Sequence, residues 1–294
     1  MHLLLALLAA VAFALGAMVY KRAFLEGAGL AHLAVVNNVI LGLVGLPLLV
    51  LDPQPVPWSL WPWPVLAAAA FVAGHCLNLL SLRAGDVSLA TPLLGSKVVF
   101  VALAGRLVFG TRLDAAAWLA AALATAGVAA MSLTDVRGGR RAGFTTVTAL
   151  GCAAAFALTD VMIEAWGGSF GVRGFLGLML AALGLLSLGL LPVFGRHALR
   201  APAAAWRWVL AGAGLSAAQA LLVTSAIAIW QDAAGVNVVY ATRGLWSIGL
   251  VWFAGGWLKN RERETSGGRT LLVRLLGAAL ILAAVGLAAW RTTA

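Results

Sequence analysis

The chain is laid out as a succession of long apolar runs, and no other feature constrains its fold as tightly. They fall at 3–20, 30–50, 62–82, 87–109, 114–133, 144–166, 174–194, 207–229, 236–258 and 270–290. A hydrocarbon core about 30 Å thick takes about 20 apolar residues as a helix. Lipid offers no hydrogen-bond partner to open backbone groups, so runs of this length must span as helices. Strands of a membrane barrel are shorter and alternate in polarity. The expected fold is therefore an all-α integral membrane protein with ten transmembrane helices. Polar breaks part the runs, among them "KRAFLEGAG" after the first and "TDVRGGRRAG" after the fifth.

Charge content agrees. Only 10% of residues are charged and mean hydropathy is +1.00, whereas a soluble chain carries about 25% charged residues. The net charge of +10 sits between apolar runs rather than in a stripe or tail, so nucleic acid is not an expected partner; the bilayer is. Cys76 and Cys152 both lie inside runs, without metal-ligand spacing. The opening run has no Lys or Arg before it, and Lys21 and Arg22 follow it. It therefore reads as a retained helix rather than a signal peptide.

The two halves echo each other. "AVAFAL" at 10–15 returns as "AAAFAL" at 153–158, an offset of 143 residues. Leu46–Pro47 matches Leu191–Pro192 at 145, and His75 falls opposite Gln219 at 144. "VSLATPLLG" at 87–95 lies over "VNVVYATRG" at 236–244, at 149. Four matches in one order point to a duplicated five-helix unit, with repeats over 1–136 and 143–294. Five is odd, so the second copy enters the membrane inverted. Inverted repeats place a substrate near the midplane between the halves and work by alternating access.

Fourteen of the twenty Lys and Arg residues sit in odd-numbered breaks, from Lys21 and Arg22 to Arg269 and Arg274. Even-numbered breaks and the C-terminus hold Arg112, Arg173 and Arg291. Positive loops stay inside, so the odd breaks are expected in the cytoplasm and both termini outside.

The stretch 83–133, "RAGDVSLATPLLGSKVVFVALAGRLVFGTRLDAAAWLAAALATAGVAAM", resembles the fourth and fifth helices of the drug/metabolite transporter superfamily. "LLGAALILAAVGLAAW" at 275–290 is similar to the tenth. With ten spans in two five-helix units, the chain resembles a transporter with two EamA repeats. That resemblance implies a secondary transporter of small metabolites in the cytoplasmic (inner) membrane. Two departures stand out. Members of the superfamily are usually drawn with both termini in the cytoplasm, the reverse of the charge count. The first helix also has no acid, which argues against the cation export of the small multidrug-resistance branch.

Three charges lie inside runs without an obvious reason to be there. Lys97 is near the middle of span four, where insertion costs roughly 2.5–3.5 kcal/mol and snorkelling cannot reach water. Arg243 is near the middle of span nine, the repeat partner of span four. Asp160 in span six is the one acid well inside a run and the natural counter-ion. Lys97 and Arg243 are expected to hold an anionic or carboxylate-bearing small molecule. Asp160 serves either as their structural partner or as the group that couples a proton or ion. Helical spacing sets Tyr240, Trp246 and Ser247 beside Arg243. Pro92 permits a kink before Lys97.

Neutral polar residues fill out the candidate site: Asn37 in span two, His75 and Asn78 one turn apart in span three, and Gln219 in span eight. Each could also be an ordinary interhelical hydrogen bond. Most tryptophans lie near run ends, as an interfacial belt does.

No Ser-His-Asp set, metal spacing or phosphate-binding loop is present, and no cofactor is implied. The expected activity is secondary transport of a small organic metabolite. The alternative is an intramembrane enzyme or a protein that handles lipid headgroups.

Overall fold

The structure is a computed structural model that describes residues 2–51, 56–109, 140–194, 200–258 and 262–293, with part of 119–130. The described residues contain helices and no strand.

Helix α1 (His2–Leu25) ends before Gly27, whose φ of 90° only glycine adopts freely. Next come α2 (Leu30–Leu51) and α3 (Pro62–Ala84). Two prolines occupy the first turn of α3, where a missing N–H costs nothing. Then follow α4 (Val87–Leu93), a 3-10 turn at Leu94–Ser96 and α5 (Lys97–Phe109). The second half has α6 (Arg140–Trp166), α7 (Val172–Gly189), α8 (Ala203–Trp230), α9 (Ala233–Tyr240), α10 (Arg243–Ala254) and α11 (Glu262–Thr293).

Among the described residues seven helices are long and apolar enough to cross a membrane, against the ten spans expected. The expected span 114–133 lies largely outside the described residues, and span nine is divided into α9 and α10. Arg112, Arg137, Arg196, Lys259 and Arg261 of the charge count also lie outside them.

Packing couples the halves pairwise. Helix α2 lies on α7, α1 on α8, and α3 on α6, while α4 meets α10. Small residues let backbones approach where lipid gives no hydrophobic drive. A Cβ on Gly42 would stand 3.0 Å from the Gly184 Cα, so α2 and α7 cross at van der Waals distance. Ala120 and Ala124 pack on Ala284 of α11. At one end of the bundle, Trp63 at the start of α3 stacks on Trp166 at the end of α6, with ring centroids 3.6 Å apart.

Candidate functional site

Two helices are interrupted, and each interruption carries a cation. Pro92 has no N–H to continue the α4 ladder, and three residues of 3-10 turn follow before α5 begins at Lys97. A turn at Ala241 and Thr242 separates α9 from α10, which begins at Arg243. The breaks touch: a Cβ on Gly244 would meet the Pro92 Cα at 2.8 Å. Both cations sit at the positive end of a helical segment, where the backbone dipole opposes them. They need negative partners.

Lys97 Nζ lies 2.6 Å from Asp160 Oδ2 on α6, with both side chains buried. The same oxygen accepts from Asn237 Nδ2 at 2.5 Å. Arg243 Nη2 donates to the Leu94 carbonyl inside the other break at 2.6 Å. Its guanidinium lies 4.0 Å from the Tyr240 ring centroid and 5.1 Å from that of Phe13. Among the described residues no carboxylate pairs with Arg243, and its Nε has no partner. Lys97 Nζ is 5.8 Å from the centroid of the same Tyr240 ring, so one aromatic ring lies beside both cations. The Tyr240 hydroxyl donates to Gln219 Oε1 at 2.5 Å. Lys97, Asp160, Gln219 and Tyr240 border a cavity of about 20 Å³, room for a single water.

A second polar group lies alongside. The Tyr20 hydroxyl donates to Asn37 Oδ1 at 2.5 Å, and Asn37 donates to Asn38 at 3.0 Å. Asn38 in turn donates to Ser187 on α7 at 2.9 Å. The His75 ring meets the Tyr20 ring edge-on, 6.1 Å between centroids.

The structure thus brings Lys97, Arg243, Asp160, Tyr240 and Gln219 together, with His75 and Asn78 around an adjoining cavity. Asn37 is engaged by Tyr20. Ser247 is buried but bonds back to the Gly244 carbonyl at 2.9 Å. Trp246 is not with them. It is 43% exposed on the outer surface of the bundle, because α10 points it about 100° away from Ser247.

Sequence reasoning missed Tyr20, Asn237 and Phe13. A signal for Tyr20 was present: the chain has only two tyrosines, and both are buried beside span amides instead of in an interfacial belt. It also misassigned Arg274, placed among the loop charges. Arg274 is inside α11 and buried, donating to Ser88 Oγ and Asp86 Oδ2 at the start of α4. At the same end, Lys21 Nζ donates to the Leu82 and Gly85 carbonyls, the first at 2.9 Å.

Residues 1–133 match the EamA-like transporter family. Two curated relatives, both named probable 4-amino-4-deoxy-L-arabinose-phosphoundecaprenol flippase subunit ArnE, match over 70 residues, 24% of this chain. The protein from Pseudomonas syringae pv. syringae is 43% identical over 61% of its own length. That from Pseudomonas savastanoi pv. phaseolicola is 41% identical over 60%. A solved crystal structure shares the fold at TM-score 0.63 and 18% identity, over 98% of this chain and 96% of that one.

Proposed function

We propose, for a multi-pass membrane protein whose first 133 residues match the EamA-like transporter family, secondary transport of a small anionic or carboxylate-bearing metabolite by alternating access. The observation that carries this reading is the charge balance at the two breaks. Lys97 and Arg243 converge on a buried site in which Asp160 supplies the one carboxylate among the described residues. An anion entering the site finds a guanidinium whose Nε is free to donate, two positive helix ends and an ammonium that it can draw from Asp160. The cavity admits about one water in this structure, so a metabolite enters only if the helices part, as alternating access requires. Asp160, released from Lys97, is the group available to take up a proton or ion.

Ten spans in two inverted repeats, over 1–136 and 143–294, give this reading its architecture. The pairwise packing supports it: α1 on α8 is matched by α6 on α3, the same contact with the halves exchanged. So does the resemblance of the breaks, each opening its second segment with a cation. The Lys and Arg bias puts both termini outside the cytoplasmic membrane. A C-terminal reporter active only in the cytoplasm stays silent if that orientation holds and lights up if it does not.

Uptake of acidic metabolites into proteoliposomes, with and without a pH gradient, tests the reading. Lys97→Met and Arg243→Gln abolish uptake while the protein remains folded. Normal uptake by both variants would overturn the assignment.

A second reading follows from the relatives' name: translocation of a lipid-linked sugar. One observation favours it. A cavity of about 170 Å³ opens where α2 crosses α7, bordered by exposed Leu43, Leu46, Leu185 and Leu188. An acyl or prenyl chain could lie there while its headgroup reached the cations. Transport of the lipid-linked compound but of no free acid would decide for it.

A further inference from the structure

The site has a neighbouring chamber with a different chemistry. It shares Phe71, Phe156 and Gln219 with the cavity at Lys97, so the two adjoin. Its own polar lining comes from three helices: Tyr20 on α1, His75 and Asn78 on α3, and Ser216 on α8 beside Gln219. None of these groups is a carboxylate, ammonium or guanidinium. Two of them point to a ligand. His75 and Asn78 are 3% and 4% exposed, yet His75 Nε2 and Asn78 Oδ1 have no hydrogen-bond partner. A buried polar atom without a partner is costly, more so within a membrane. Phe13, Phe71 and Phe156 supply flat apolar walls between the polar groups. The chamber also lies at the join of the halves, because His75 and Gln219 occupy corresponding positions of the repeated sequence and border it together.

We infer that this chamber is a second substrate compartment, which binds the hydroxylated body of an acid whose anionic group rests on Lys97 and Arg243. The inference depends on the anion reading above and narrows it to polyhydroxylated acids: sugar acids or sugar phosphates. Neutral donors and acceptors set among aromatic faces match alternating hydroxyl and C–H surfaces. They offer nothing to a second charge, and a plain alkyl chain would leave His75 Nε2 and Asn78 Oδ1 unpaired. The chamber's volume of about 20 Å³ holds one water, which a substrate hydroxyl replaces when the helices part.

The test compares gluconate with hexanoate, which share a carboxylate and a six-carbon chain and differ in their hydroxyls. Affinities of the purified full-length chain in detergent are read from ligand-dependent thermal shifts. Gluconate is expected to bind roughly tenfold or more tightly, and His75→Phe and Asn78→Leu should each bring that ratio toward one. Lys97→Met loses both acids. Equal binding by the unmodified chain, with both acids lost in Lys97→Met, would overturn the chamber assignment and leave the anion site standing. No binding of either acid, or binding indifferent to Lys97→Met, would remove the anion site and this inference with it. The ratio in the unmodified protein decides the matter even if a variant fails to fold.

Discussion

Arg243, the first residue of α10, donates to the carbonyl of Leu94 in the break between α4 and α5, at 2.6 Å. The same carbonyl also accepts from the Lys97 backbone N–H, so one interrupted helix adds a second bond across the break in the other. Irregular backbone survives at membrane depth only where protein or water satisfies it. Arg243 has two duties, a backbone bond and a charge, and substitution separates them. Arg243→Lys keeps the charge but loses the flat stacking on Tyr240. It should retain transport with KM raised roughly tenfold, equivalent to one hydrogen bond of about 1.4 kcal/mol. Arg243→Gln can still donate but carries no charge, and its uptake should fall to background. Equal KM values for Lys and Arg at this position would show that the stacking geometry is unimportant.

Lys97 and Asp160 are both buried, 2.6 Å apart. Removing one partner of such a pair strands the other, at a cost of about 3–5 kcal/mol, whereas removing both is far milder. Asp160→Asn alone should lower the thermal unfolding midpoint in detergent more than Lys97→Met with Asp160→Asn does. The double variant, although folded, should not transport, because the anion has lost its ammonium. A double variant that transports would assign the pair to structure alone.

Much of this arrangement was legible in the sequence because lipid leaves few options. Hydropathy placed spans at 30–50 and 62–82, against helices Leu30–Leu51 and Pro62–Ala84. The cost of a charge at depth singled out Lys97, Arg243 and Asp160, which the structure gathers at one site. The breaks were not legible as breaks. "VSLATPLLGSKVV" and "VNVVYATRGLW" stay mostly apolar on either side of each break, and hydropathy does not register a backbone that changes its hydrogen bonding. Pro92 gave a hint for the first, but no proline marks the second. Trp246 was misplaced because spacing fixes an angle around the helix and not which angle faces the core. Arg274 was misplaced because four residues separate it from the start of its run, and a partner at Asp86, 188 positions away, has no local signature.

The crossing of α2 and α7 at Gly42 and Gly184 predicts a steep dependence on side-chain size. A Cβ on Gly42 meets the Gly184 Cα and the Leu180 carbonyl at 3.0 and 3.2 Å, and backbone cannot yield as a side chain can. Gly42→Ala should cost about 1–3 kcal/mol through overpacking, and Gly42→Val should prevent accumulation of folded protein. Gly189, whose Cβ would meet nothing within 4 Å, is the control: Gly189→Ala should leave the unfolding midpoint at or slightly above its original value, since alanine favours the helix. Equal effects at the two positions would mean that α2 and α7 do not cross there.

The ion pair of Arg274 with Asp86 predicts an asymmetry between its two partners. The Arg274 side chain is 1% exposed and that of Asp86 30% exposed. Truncating either breaks the same bond at 2.9 Å, so a count of interactions would expect equal losses. Desolvation says otherwise. Asp86→Asn leaves a buried guanidinium with no carboxylate beside it, and the penalty approaches the roughly 3–5 kcal/mol of a stranded buried charge. Arg274→Met leaves a carboxylate that water already reaches, and the methionine still fills most of the arginine's volume. Its cost should be about 1 kcal/mol, near that of a partly exposed pair. Adding Arg274→Met to Asp86→Asn should then raise the unfolding midpoint, because it removes the stranded charge. A thermodynamic cycle over the three variants measures this coupling directly. Equal losses for the two single variants would show that Arg274 is solvated where α11 meets α4, as a loop cation would be.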